Sequence, residues 1–526
     1  MNGRSNESSE RLHTALSRIL RERPGPMPFS SIKLYWLAAG IFAVLFAILL
    51  SARLGVITGW PGFPEADQVK VDQSLPDREA WMNILRNGKK IGYTHSTFSG
   101  TAAGYELEET IFLRITTLGL SHQVHLKISG QLRDDLSLAA FESRLDSGRF
   151  SFTAAGIVSD QSLKLTTTAS GRTDTTTIPV KTPIYLSAGL MQIVRDSGLN
   201  PGETMNMTMF DPTSLSSVPV RVAAAGRETI TIRNQSHSAT RLDIHVKGLT
   251  QTTWINEKGE VLKEEGLMGL TRVKTDQNRA LAGPLEDSND ITAEVSVPVE
   301  VKLPDPSALK RLTVAISGIE TNRLDLSGGR QVLSEDRLTV TRESLEKPAP
   351  PELSREEQEP FLESDLLIQA NDPRIRKQAA AITAKADSMA RKAELLLDWV
   401  YRNIDKRPVI SLPNASATLA NQEGDCNEHA VLLAALARAE GLPARVETGL
   451  VYLNGRFHYH AWNSLYLNGW ITADAALGQF PADVTHIRLT GGDPDSAFDL
   501  IPVIGRLKLR VINFSPRTPA SIPPAP

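Results

Sequence analysis

A single cysteine, Cys426, stands in 526 residues. Without a second thiol the chain forms no internal disulfide, so its stability must come from packing and hydrogen bonds. Charge of one sign is also lacking: 57 Lys and Arg meet 60 Asp and Glu, for a formal net charge of −3. No dense Lys/Arg block interleaved with aromatics occurs, so nucleic acid is not an expected partner. No fixed-period repeat is present either. What the chain does have is length, and at roughly 100 to 200 residues per domain it is expected to hold about three folded units.

Long apolar runs are lacking too, with one exception. "LYWLAAGIFAVLFAILL", residues 34–50, is extended by Ser51 and Ala52 and ended by Arg53. It approaches the roughly 20 residues that cross a bilayer. The 33 residues before it are long for a signal-peptide leader and no clean A-x-A site follows, so 34–52 is expected to be an uncleaved transmembrane anchor. Arg4, Arg11, Arg18, Arg21, Arg23 and Lys33 outnumber Glu7, Glu10 and Glu22 ahead of the run. The positive-inside rule then keeps residues 1–33 in the cytoplasm and exports the rest. With −3 overall and +4 on residues 1–53, the exported part carries −7 and has no reason to adhere to anionic lipid. In an oxidising compartment cysteines normally serve in pairs. The lone Cys426 is therefore a buried core residue, a nucleophile or a metal ligand.

Residues 53–78 form a Gly/Pro-rich spacer. From 79 to 344 the pattern is mainly β. "WMNILRNGKKIGYTHSTF" is a hairpin turning at Asn87-Gly88, and Val124, Leu126 and Ile128 alternate with Gln123, His125 and Lys127. The alternation suits antiparallel sheet with one solvated side, as one large curved sheet or two sandwich-like modules. One helix is expected inside it, "TPIYLSAGLMQIVRDSG", with Thr182 as N-cap, Pro183 at the first position and Gly198 at the stop. His95, His122, His125, His237 and His245 are scattered through this region without ligand spacing. Residues 345–361, rich in Pro and Glu, read as a linker. Residues 362–510 read as a second, mixed domain that opens with one or two helices, and Leu396, Trp399, Val400 and Ile404 mark a helical face. The Pro-rich end, 511–526, is expected to be disordered.

In "EGDCNEHAVLLAALARAEG", residues 423–441, Asp425 and Glu428 form a D-x-x-E start signal, which makes Asp425 the N-cap and Cys426 the first helical residue. There the helix dipole and unpaired N–H groups are expected to lower the thiol pKa, a placement that favours a nucleophile. Three antiparallel strands follow: "ARVETGLVYL", "RFHYHAWNSLYL" and "WITADAAL", turning at Asn454-Gly455 and Asn468-Gly469. Register decides whether His460 and Asp474 meet. A two-residue loop at 468–469 pairs Asp474 with Asn463 and puts it on the face opposite His460. A three-residue loop, 467–469 with Gly469 left-handed, pairs Tyr466 with Trp470 and Asp474 with Trp462, so that His460 and Asp474 share a face. His458 and His429 are rival bases. Cys426, His429, His458 and His460 as a zinc site is disfavoured, because no C-x-x-C or H-E-x-x-H unit is present; no metal and no cofactor are expected.

Taken together, "GDCNEHAVLLAALARAEGLPARVETGLVY" and "HYHAWNSLYLNGWITADAALGQFPADVTHI" closely resemble the transglutaminase-like superfamily, specifically its bacterial exported members, over about residues 370–490. The opening "EAWMNILRNGKKIGY" resembles an export-associated β-domain found ahead of hydrolase-type domains in some bacterial proteins. The first resemblance implies an α+β, papain-like fold in which a helix carrying the cysteine packs on an antiparallel sheet. It also implies Cys426 as nucleophile, His460 as general base and acid, and Asp474 as the group orienting the imidazole. One departure stands out: the family usually has Pro after the aspartate, and here Ala475 stands there. Oxyanion donors are expected at the Cys426 N–H and the Gln422 side chain, and Trp462 and Trp470 are candidates to wall the site or to pack the core.

The expected protein is thus an exported thiol enzyme, held in the bacterial cytoplasmic membrane with its bulk on the periplasmic side. It acts on peptide or protein amide bonds through a thioester. Hydrolysis is favoured over amine transfer, since water is always present and no acidic amine-binding pocket can be identified. The alternative is a non-catalytic envelope adaptor that binds a partner through its β region and keeps the papain-like domain as scaffold.

Overall fold

Alternating burial along the strands of the N-terminal half builds one sheet. The computed structural model describes residues 75–516, apart from 118–119, 149, 170, 181–182, 214, 247–248, 267–268, 284, 286–294, 323, 347–352, 410–412, 492–499 and 501–502. The apolar run expected to be an anchor lies outside these residues; among the described ones no helix is long and apolar enough to cross a membrane. Arg78–Arg86 and Lys89–Thr101 turn at Asn87 and Gly88, both at positive φ (49° and 81°), as the right-handed twist of a two-residue hairpin requires. Fifteen strands continue from there in a single sheet. Eight successive strands, ending at Arg172–Pro179, form one arm. Seven, from Tyr185–Leu186 to Leu270–Thr275, form the other. The arms join where Arg78–Arg86 pairs with Leu270–Thr275. The alternative of one large sheet therefore holds over two sandwich modules, and its buried side shares one core from Leu126 and Phe141 to Val222 and Leu242.

Two local expectations change. The helix expected over 182–198 is shorter: Ser187–Gly189 is a 3-10 turn and only Leu190–Asp196 is α-helical, ending before Gly198 at φ 63°. Ahead of it Tyr185–Leu186 is a strand paired with Met209 and Phe210, and the Leu138 N–H donates to the Ile184 carbonyl. Burial of Ile184, Tyr185 and Leu186 against the sheet outweighs the Thr-Pro start signal.

The second change is the boundary. The β region was expected to run to 344 and a linker to follow, yet Val297–Pro298 pairs with Phe457 and Arg456 in the C-terminal half. Leu309–Ser317, Gln331–Ser334 and Arg337–Thr341 form a four-stranded sheet with Lys508–Pro516, a strand that carries residues 511–516 of the tail expected to be disordered. Residues 297–341 thus belong with the C-terminal unit, through partners too distant in sequence for a local pattern to reveal. The expected linker also carries structure. Ser354 and Glu357 form a capping box for Arg355–Gln358, and the Leu353 N–H donates to the Tyr466 hydroxyl at 2.6 Å.

The C-terminal unit is built around Cys426–Ala439. Its apolar residues face inward all round, from Val431, Leu432 and Leu433 to Leu436, because Pro373–Thr383, Met389–Asn403 and Ala415–Asn421 pack on it together with a sheet. Each such leucine contributes about 1.5–3 kcal/mol by leaving water. Of the one or two helices expected at the start of this unit, two are present; Leu396, Val400 and Ile404 are buried. The sheet runs in the order Val297–Pro298, Arg456–Tyr466, Ala444–Leu453, Ile487–Gly491, and Trp470–Ala473 also pairs with Arg456–Tyr466. This is the expected α+β arrangement of a helix carrying the cysteine on an antiparallel sheet.

Candidate active site

Cys426 opens its helix as read from the D-x-x-E signal. Asp425 is the N-cap, its carboxylate accepting the Asn427 N–H at 2.8 Å, while Glu428 reaches back to the Asp425 N–H at 2.9 Å. The thiol is 0% exposed. Burial pushes its pKa well up, and Asp425 adds to this; the Ala461 N–H, donating to the sulfur, works the other way. The expected lowering at a helix N-terminus is therefore reversed. An enclosed thiolate loses its hydration and faces carboxyls at the N-cap, and the dipole does not offset that. The Asp425 carboxyl is itself raised, first by burial and then by Glu428.

The strand Arg456–Tyr466 presents Ala461, Asn463 and Leu465 toward the cysteine helix, where the Asn463 amide donates to the Ala430 carbonyl at 2.9 Å. His458, His460, Trp462 and Ser464 alternate onto the other side. The register is that of the three-residue loop: Tyr466 pairs with Trp470 and Asn463 with Ala473, which leaves Asp474 next in line, opposite Trp462. Asn468 (φ 57°) takes the αL position of that loop, one residue before the expected one, and Gly469 follows at a positive φ of 150°. The Leu467 N–H closes the loop on the Gly469 carbonyl at 2.8 Å.

His460 and Asp474 accordingly meet, Nε2 to Oδ2 at 2.8 Å, both fully buried. His460 Nδ1 is buried and has no hydrogen-bond partner among the described residues. A second imidazole, not singled out from sequence, shares the same oxygen: His486 Nε2 lies 2.8 Å from Asp474 Oδ2, and its Nδ1 is 3.4 Å from Asp483 Oδ1. Burial alone pushes the Asp474 carboxyl up, but His460 and then His486 hold it far below the usual carboxylate range. For His486, burial works downward and the hydrogen bonds to Asp474 and Asp483 prevail, raising it to about 9. The other Asp474 oxygen accepts the Leu477 N–H at 2.9 Å, and the Asp474 and Gln479 backbones exchange two bonds of 2.9 Å. This closed turn sets the chain path after Asp474 with Ala475 where the family usually has Pro.

Trp462 is enclosed rather than lining an opening. Its ring stacks on His460 (centroids 6.0 Å, 25°) and meets His486 edge-on (5.2 Å, 88°). Its Nε1–H donates to Glu447 Oε2 at 3.0 Å, and Glu447 Oε1 accepts Arg445 and Ser464 at 2.8 and 2.7 Å, with Arg488 at 3.4 Å. Although burial pushes Glu447 up, Arg445 and Arg488 hold it at about 2. Trp470 packs elsewhere, against Phe361, Tyr466 and the Arg445 guanidinium. Sequence reading missed His486 and Glu447, but each left a signal: Asp483-x-x-His486 in "DVTH", and a lone carboxylate amid the apolar "ARVETGLVYL".

The remaining candidates do not join the cluster. His429 is held as a neutral ring: its Nδ1–H donates to the Asp425 carbonyl at 2.6 Å, and burial lowers it to about 4. Burial does the same to His458, also to about 4. Gln422 is a left-handed C-cap (φ 54°) and is exposed, whereas Cys426 is buried. Cys426, His429, His458 and His460 do not converge as a four-ligand set among the described residues. The buried group that does converge is His460, Asp474 and His486, with both imidazoles on one carboxylate oxygen.

Residues far upstream brace this group. Arg330, buried in an ion pair with Glu343 at 2.9 Å, donates to the carbonyls of Ala482, Asp483 and His486 at 2.8, 2.5 and 3.0 Å. Glu343 in turn accepts the Thr472 N–H and hydroxyl at 3.0 and 2.8 Å.

A helix opening on cysteine, packed on a strand that carries a histidine bonded to an aspartate, defines a papain-like class. Within that class, residues 376–475 match the model of the transglutaminase-like superfamily. Residues 82–267 match a domain of unknown function (DUF6134). No curated protein matches the chain. Among solved structures, a "putative cysteine protease" from Cytophaga hutchinsonii is 20% identical, covering 39% of this chain and 86% of its own, with a TM-score of 0.25. A β-barrel-like protein of domain of unknown function DUF1849 from Brucella abortus is 11% identical, covering 38% of this chain and 95% of its own, with a TM-score of 0.29. Scores this low bear on neither fold nor function.

Proposed function

We propose that the protein is a thiol enzyme that acts on peptide or protein amide bonds, with Cys426 as nucleophile, His460 as base and acid, and Asp474 as the orienting carboxylate. What carries the reading is the disposition of His460: Nε2 is committed to Asp474 at 2.8 Å while Nδ1 is buried without a partner. The Cys426 sulfur meanwhile rests on the N–H of the next residue, Ala461. A thiol with a raised pKa needs a base, and Nδ1 is the position open to take its proton. The sulfur then attacks the amide carbonyl and the C–N bond breaks. The amine leaves with the proton from His460, and water, activated at the same nitrogen, releases the acid. The Cys426 N–H, in the first helical turn, stabilises the oxyanion. Hydrolysis is preferred over transfer to an amine, and export past the 34–52 anchor places the reaction on the periplasmic side of the cytoplasmic membrane.

The complete enclosure of Cys426 favours a second reading, an envelope adaptor that keeps this domain as a scaffold. Wild type and Cys426→Ala, compared in the native envelope by mass spectrometry for cleaved or cross-linked proteins, separate the two. Products present only with wild type are expected. Identical protein profiles together with unchanged cellular function sink the enzyme reading.

A further inference from the structure

We propose that His486 is a positioning residue for the reactive pair, a cation held between Asp474 and Asp483 that compensates the Asp474 charge and so tunes when the Cys426 thiolate forms. The inference rests on the catalytic reading of Cys426, His460 and Asp474 and adds a residue outside the superfamily match at 376–475.

Geometry carries it. One oxygen, Asp474 Oδ2, takes both Nε2 atoms at 2.8 Å, so each imidazole donates there and the two compete for one negative charge. The His486 ring has carboxylates at both ends, Asp483 holding its Nδ1, which is the arrangement of an imidazolium; a neutral ring has only one N–H to donate. Asp483 is itself fixed: its Oδ1 accepts the Thr485 N–H and hydroxyl at 2.8 and 2.6 Å, and Gln479 reaches its other oxygen at 3.1 Å. Arg330 pins the loop by three carbonyls. The rise of His486 to about 9 agrees with this geometry.

Asp474 faces His486 from the turn after Trp470–Ala473, Asp483 from its own loop, and His460 from the neighbouring strand with ring centroids 5.9 Å apart. The Arg330 guanidinium lies on its carbonyl side, paired with Glu343, and Lys406 acts on Asp474. Arg488, two residues on, is engaged by Asp325 and Glu447. Around the sulfur stand Asp425, Glu428 and Asp474. Among these, His486 is the cation bonded directly to the Asp474 carboxylate beside His460. Without it the site gains one uncompensated negative charge, which opposes the thiolate.

The test uses the full chain and its sole cysteine, so that iodoacetamide alkylation, read by intact mass, reports Cys426 alone. Rates are followed from pH 5 to 10 in wild type, His460→Gln, His486→Gln and His486→Ala, each checked for native circular dichroism. His486→Gln keeps a donor and loses the charge. Both His486 variants are expected to move the thiolate midpoint up by about one pH unit, a ten-fold lower rate at a fixed pH below the midpoint. If the His486→Gln profile overlays wild type while His460→Gln departs from it, the His486 inference fails and the catalytic reading stands. If His460→Gln also overlays wild type, the catalytic reading fails. Should the His486 variants not fold, deuterium exchange at imidazole C2 in wild type decides: a midpoint near 9 for His486 supports the proposal, and one near the ordinary 6.5 overturns it.

Discussion

Glu447 and Trp462 are the residues through which packing and charge meet beneath the candidate site. The carboxylate holds an indole N–H, a hydroxyl and two guanidinium groups, all buried except the half-buried Arg445. Glu447→Gln leaves Arg445 without its anion and Arg488 with Asp325 alone, and is expected to cost about 3–5 kcal/mol in urea unfolding. Trp462→Phe removes the Nε1–H together with the five-membered ring, so the stranded carboxylate oxygen costs about 1–3 kcal/mol and the cavity left in the core adds to that. The sign for Glu447 follows from its position at about 2 against an ordinary 4.5. Its contribution is complete above pH 4.5 and is lost as pH falls toward 2. In Glu447→Gln that part of the acid dependence disappears, which a stability-against-pH curve reads directly.

The elements that carry the site depend on a turn. Between Tyr466 and Trp470 three residues set which side of the strand Asp474 takes. Deleting Thr472 from the strand that follows keeps Tyr466 opposite Trp470 but moves Asp474 by one position, opposite Asn463 and onto the face away from His460. The expected outcome is loss of any Cys426-dependent activity, or of its alkylation pH profile, in a chain that still folds; an unchanged profile counts against the His460–Asp474 pairing. Much here was legible in sequence: the Asp425 cap, the Asn454-Gly455 turn, and the condition that a three-residue loop must hold. These are local rules, and local rules write themselves into neighbouring residues. His486 was not legible, because its partner Asp474 is reached by a loop whose path is fixed by Arg330, more than a hundred residues upstream. The thiol's raised pKa was equally hidden, since burial is a property of the packed unit while the helix start is visible in four letters.

At the scale of the whole molecule, the large sheet and the C-terminal unit differ in how far ahead the sequence announces them. Strand alternation foretells a β region but not a single sheet of fifteen strands, because only the pairing of Arg78–Arg86 with Leu270–Thr275 joins its arms. The boundary near 345 misled for the same reason: a proline-rich stretch looks like a divide although 297–341 pairs beyond it. Acid is expected to act on the C-terminal unit through its buried neutral histidines. His429 and His458 sit at about 4 against an ordinary 6.5, so the unfolded chain binds protons that the native one refuses. Stability therefore falls as pH drops from about 6.5 to about 4. A thermal melt followed across that range is expected to show a steady fall in midpoint, smaller in His458→Gln than in wild type.

The pairing of Leu309–Ser317 with Lys508–Pro516 also orders events in time. During synthesis the first of these strands emerges almost two hundred residues before its partner, and until then its edge has open N–H and C=O groups. A chain stopped between 487 and 507 therefore carries Cys426, His460, Asp474 and His486 yet keeps a raw sheet edge, so that the last strand closes the surface most open to pairing with another chain.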